Sequence, residues 1–175
     1  MNIHPGGADP VPPVGESNLV VARFRDGHVI KGHTRDFTPE RHLFHVLPRG
    51  GLVTVPIDTA DLKAVFFVRD LVGNKLFHKK RVFPSFDAGP QTGRRIAVLF
   101  EDGELLVGHT QSYSGDTPGF FVFPVDAREN NSRIYVLRAA TREVRLGLGA
   151  EELTRTTPRP ANEDVARRRR IFGEG

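Results

Sequence analysis

Phe24-Arg25-Asp26-Gly27-His28-Val29-Ile30-Lys31-Gly32-His33-Thr34 is written a second time as Phe100-Glu101-Asp102-Gly103-Glu104-Leu105-Leu106-Val107-Gly108-His109-Thr110. The two copies run without a gap from Val20–Pro48 and Ile96–Pro124 at a constant offset of 76 (Gly103 minus Gly27). Phe44, Val46 and Pro48 answer to Phe120, Val122 and Pro124, and most intervening pairs exchange one apolar residue for another. A repeat at fixed offset is one supersecondary unit used twice, and it governs the reading of the chain ahead of any single motif.

Inside the unit the periodicity is that of strands. Leu19 to Arg25 reads as a strand, Asp26-Gly27 as a tight turn whose glycine accepts positive φ, and His28 to Phe37 as the returning strand. Gly32 and Gly108 fall in the middle of that second strand, where a missing side chain implies a bend or a close backbone approach. Leu43 to Leu47, Val53 to Ile57 and Leu62 to Arg69 complete five strands, with a helical turn capped by Asp58 or Thr59 before the last. The second copy repeats the series as Arg95 to Phe100, Glu104 to Tyr113, Phe120 to Pro124, Ser132 to Leu137 and Glu143 to Leu146. Short, bent, Val/Ile/Phe/Thr-rich strands predict an all-β chain of two tandem small five-stranded barrels.

The expected organisation is a disordered Pro/Gly-rich arm at 1–17, a first unit at 18–70, a packed linker at 71–93, a second unit at 94–149 and a polar basic tail at 150–175. In that tail, residues 154–160 read as extended, with a short helix after Asn162. Units of about 55–60 residues bury only about 60% of their unfolded surface, so each gains from packing on the other. Thirteen Phe against no Trp and two Tyr point to Phe-filled cores. The absence of Cys excludes disulfides, thiolate nucleophiles and thiolate metal sites. Residues 1–15 lack a signal-peptide pattern and no stretch approaches the ~20 apolar residues of a span, so the expectation is a cytoplasmic protein with no membrane partner.

The spacing Asp26-Gly27, Gly32, Phe37, then Leu43-Phe44, repeated as Asp102-Gly103, Gly108, Tyr113, then Phe120, resembles the first signature of the Sm-like family (Sm, Lsm and Hfq proteins) of SH3-like small barrels. Ala64-Val65-Phe66-Phe67-Val68-Arg69 is similar to the apolar run that closes the second signature. The doubled arrangement also resembles a group of two-copy bacterial proteins with no assigned activity. The resemblance implies barrels that join by pairing strand edges. It also implies RNA binding through a loop Asp and Asn, but those positions hold Thr38 and His42 in one copy and Ser114 and Pro118 in the other.

No catalytic constellation emerges, and no cofactor is expected. His33 and His109 are equivalent positions and read as strand-face residues, since a metal site needs three or four converging ligands. Asp58 and Asp61 read as a cap and a solvated face. The turns Arg49-Gly50-Gly51 and Gly147-Leu148-Gly149 lack the Lys-Ser/Thr of a phosphate loop. Asn130-Asn131-Ser132 reads as a turn. Phe66-Phe67 and Phe120-Phe121-Val122-Phe123 are apolar on both faces of their strands, which marks Phe66, Phe67, Phe120, Phe121 and Phe123 as interface residues. The resulting expectation is a non-enzymatic scaffold or adaptor that binds protein partners or self-assembles. The alternative is a nucleic-acid or nucleotide binder using Lys79, Lys80, Arg81, Arg94, Arg95 and Arg167, Arg168, Arg169 and Arg170, in a chain of formal charge +4.

Overall fold

The computed structural model describes residues 17–73, 81–83 and 93–158. The expected arm before Ser17, most of the linker and the tail beyond Pro158 lie outside the described residues. The first copy folds as β1 (Asn18–Phe24), β2 (Val29–Thr34), β3 (Leu43–Pro48), β4 (Val55–Asp58) and β5 (Leu62–Val68). The second follows as β6 (Arg94–Phe100), β7 (Leu105–Thr110), β8 (Gly119–Pro124), β9 (Asn131–Leu137) and β10 (Thr141–Leu146), then helix α1 (Leu148–Thr156).

The ten strands form one antiparallel sheet in the order β10-β6-β7-β8-β9-β5-β1-β2-β3-β4, which corrects the expectation of two closed barrels. Closure within a copy would need β4 to pair with β5. Instead the second edge of β5 is taken by β9, with Ala64, Val65 and Phe66 opposite Val136, Tyr135 and Ile134. One continuous sheet therefore runs through both copies, and β4 and β10 are left at its ends.

The repeat is exact to the level of register. Phe24 meets Leu62 at a bulge in the β1–β5 ladder, and Phe100 meets Thr141 at a bulge in the β6–β10 ladder. Gly32 pairs with Pro48 and Gly108 with Pro124. A Cβ on Gly32 would lie 2.0 Å from the Leu47 carbonyl oxygen, and one on Gly108 would lie 2.3 Å from that of Phe123. Glycine is thus required by the closeness of the neighbouring strand. The hairpin glycines Gly27 and Gly103 are required by φ of 96° and 85°. A 3-10 turn precedes β5 at Thr59–Asp61, where the Asp58 carboxylate accepts from the Ala60 N–H at 2.9 Å. Its counterpart, Arg138–Ala140, precedes β10. Strand β9 has seven residues where β4 has four, and the three extra lie at its start, so equivalent positions beyond them differ by 79 (Thr141 minus Leu62).

Helix α1 corrects the expectation of a tail extended from Thr154. Ala150 and Leu153 lie three apart on one helix face and are buried against Ala97, Leu105, Val107 and Phe83. That burial stabilises a nine-residue helix too short to persist on propensity alone.

Candidate functional interface

β5 and β9 are the centre of the sheet, and each serves two cores. Every residue of β5 is buried. Val65 and Phe67 face the core of their own copy with Val20, Phe44 and Val46. Ala64, Phe66 and Val68 face the core of the second copy with Val98, Phe120 and Val136. In return, Tyr135 and Leu137 of β9 face the first core, and Phe121 packs against it. Strands apolar on both faces are what such a shared position demands.

Aromatic contacts fix the angle of this junction. Phe37 lies edge-on to Phe44, Phe67 and Tyr135, with ring centroids 5.1, 5.4 and 5.3 Å apart. Phe121 lies 5.1 Å from Tyr135 and 6.2 Å from Phe67. The Arg133 guanidinium covers Phe67 at 4.4 Å and Phe121 at 5.7 Å, so a ring from each copy shares one cation. The Tyr135 hydroxyl reaches the Pro39 carbonyl at 3.5 Å. Burial, and then the charge of Glu40, push its pKa up.

A charge cluster binds the other side of the junction. The β6–β7 hairpin presents Asp102 and Glu104 to the buried Lys63 Nζ, each at 2.5 Å. Arg23 reaches Glu104 at 3.4 Å and Arg25 reaches Glu101 at 3.3 Å. Lys63 Nζ also sits 4.4 Å above the Phe100 ring. Partial burial pushes the Asp102 carboxyl up, but the Lys63 hydrogen bond, the Glu104 N–H and the Lys63 and Arg23 charges outweigh it and lower its pKa. A third clasp joins the end of β5 to the β8–β9 loop. The Arg69 guanidinium donates to the carbonyls of Ala127, at 2.8 Å, and Glu129, while Asp70 and Asn130 exchange hydrogen bonds at 3.1 and 2.9 Å.

The five predicted interface aromatics occupy different places in this arrangement. Phe66, Phe67 and Phe121 lie across the junction, Phe120 fills the second core, and Phe123 is half-buried on β8 beside His109. The predicted basic set is not gathered into one surface among the described residues. Arg94 is exposed at the start of β6, Arg95 is ion-paired with Glu151 of α1 and lies 5.5 Å from the Phe83 ring, and Arg81 is half-buried. Lys79, Lys80 and Arg167 to Arg170 lie outside the described residues. His33 is exposed beside the Ser17 hydroxyl, whereas His109 is buried edge-on to Phe83. Among the described residues no group of three His, Asp or Glu side chains converges as a metal site would require. The pairing of Lys63 with Asp102 and Glu104 was not foreseen from the sequence, where Asp102 read only as a turn residue, because opposite charges on a strand and a hairpin of different copies carry no local pattern.

The two ends of the sheet differ from its centre in one consistent way. On β10, Glu143 and Arg145 stand where β5 has Ala64 and Phe66 (offset 79). On β3 and β4, His45, Pro56 and Asp58 stand where β8 and β9 have Phe121, Tyr135 and Leu137 (offsets 76 and 79). The side chains that make the junction are therefore apolar only where the copies meet. A four-residue edge strand containing proline at one end and alternating charges at the other are ordinary protections against further strand pairing.

The chain belongs to a family of unknown function, DUF6982, whose family model matches residues 16–147 and so takes in both copies of the repeat. No curated protein and no solved structure matches it. Among the described residues no helix is long and apolar enough to cross a membrane.

Proposed function

We propose that the chain is a non-enzymatic adaptor for protein partners, built of two Sm-like units. The equal strand orders β5-β1-β2-β3-β4 and β10-β6-β7-β8-β9 support the unit reading, as do the matching bulges and the glycines at the same strand crossing. The observation that carries the function is the β5–β9 junction. There the unit holds another folded surface through a strand edge and two apolar faces, which is the work of an interaction module.

The surface left for a partner is the outward side of β2 and β3 in the first copy. Val29, Lys31, His33, Leu43 and Leu47 are all exposed there. Their β7 counterparts Leu105, Val107 and His109 are buried under Phe83 and α1. A surface of mixed apolar and basic side chains, left open among the described residues, suits a protein segment with apolar and acidic residues.

A photo-crosslinking residue placed at Val29 or Leu47 in the native cell tests this directly. The expected result is a discrete protein adduct at both positions, weakened by Lys31→Glu and missing from a probe at exposed Ala139. A nucleic-acid adduct, or equal labelling at Ala139, would overturn the reading.

A further inference from the structure

We propose that α1 is a cap: it occupies on the second copy the surface by which the first copy holds the second, and so ends the series of units on that side. This rests on reading the two copies as equivalent interaction units. In the first copy, Leu19 and Val21 of β1 pack against the second core, and Arg23 beside them reaches Glu104 of the next hairpin. The equivalent residues of β6, at an offset of 76, are Arg95, Ala97 and Leu99. All three are met by α1 or its seat: Arg95 pairs with Glu151, Ala97 is buried with Ala150 and Leu153, and Leu99 packs against the same cluster. On the neighbouring strand, Gly149 of the helix lies against Arg145, the counterpart of Phe66, which in the first copy enters the second core.

The helix thus takes the place of a third unit. It buries the apolar side chains of β6 and β7 that an uncapped end would expose, and it presents Glu152 and Arg155 to solvent. Terminal caps with a polar outer side are what arrays of stacked units need to remain soluble and finite. β10 also carries Glu143 and Arg145, so the end is closed by both a covering helix and a mismatched edge. The same surface, with α1 displaced and the edge made apolar, would accept the free end of a second copy of this chain.

Molar mass by light scattering, across a concentration series, tests this with matched variants. The first variant makes both ends resemble the internal junction, through His45→Phe, Asp58→Leu, Glu143→Ala and Arg145→Phe. The second adds Ala150→Asp and Leu153→Asp to unseat the helix. The unmodified protein and the first variant should run at the monomer mass of 19.4 kDa, and the second should assemble as concentration rises. Assembly of the first variant with α1 in place, or assembly of the unmodified protein, would overturn the cap. So would a second variant that keeps its β-sheet circular dichroism yet stays monomeric. If the second variant loses that signal, Leu153→Ala in the first background replaces it, weakening the seat without burying charge. It must assemble at concentrations where the first variant stays monomeric, and a folded Leu153→Ala variant that stays monomeric throughout overturns the proposal. Crosslinking at Val29 reads the adaptor function separately, since it does not depend on the state of α1.

Discussion

Replacing Phe66 by Ala is expected to cost about 3–5 kcal/mol of folding stability, the range for deleting a buried aromatic ring from a packed core. Phe66 is 3% exposed, lies under the Arg23 guanidinium at 4.7 Å and belongs by sequence to the first copy, yet its ring fills the core of the second. The loss should therefore appear in the unfolding of both copies together, as a single transition at lower denaturant. Phe123→Ala is the control. That ring is half-buried and outside both central cores, so its removal should cost about 1 kcal/mol. Equal effects of the two substitutions would mean that Phe66 does not sit between the copies.

Gly32→Ala is expected to destabilise by at least about 3 kcal/mol, at the upper end of the overpacking range, because the added methyl meets backbone that cannot turn away. Its Cβ would lie 2.0 Å from the Leu47 carbonyl oxygen and 2.8 Å from the Val46 side chain, so β2 and β3 would have to part. Those strands pair only at Gly32–Pro48 and His33–Leu47, which leaves little ladder to absorb the displacement. Gly27→Ala offers the contrast. Its Cβ would meet nothing within 4 Å, and the cost is confined to holding φ near 96°, about 1–2 kcal/mol. Chemical denaturation of the pair separates close approach from turn geometry as the reason for glycine in this hairpin.

Much of the strand framework could be read from the repeat. Asp26-Gly27 and Asp102-Gly103 set the hairpins, and the double-sided apolar runs around Phe66 and Phe120 marked strands with a second face to bury. How those faces are satisfied was not legible. Val65-Phe66-Phe67-Val68 looks the same whether its outer side meets a closing strand of its own copy or a strand of the other. The choice is made by β9, some 70 residues away, through Ile134, Tyr135 and Val136. Helix α1 was missed because two glycines, Gly147 and Gly149, flank Leu148 and read as a turn. The useful signal was the Ala150/Leu153 spacing with Glu151 in the first turn. The ends of the sheet were legible in principle, since aligning Ala64 and Phe66 with Glu143 and Arg145 needs only the sequence. Their meaning depended on knowing that β5 is central and β10 is not.

The central claim is that β5 and β9 weld the two copies into one folding unit, and native-state hydrogen exchange measures it most directly. The amides of β5 and β9 should exchange only through global unfolding, with one common free energy. Those of β4 and β10, at the ends of the sheet, should open locally and exchange faster. Exchange of β5 and β9 as fast as the two end strands, or separate opening free energies for residues 18–68 and 94–146, would contradict it.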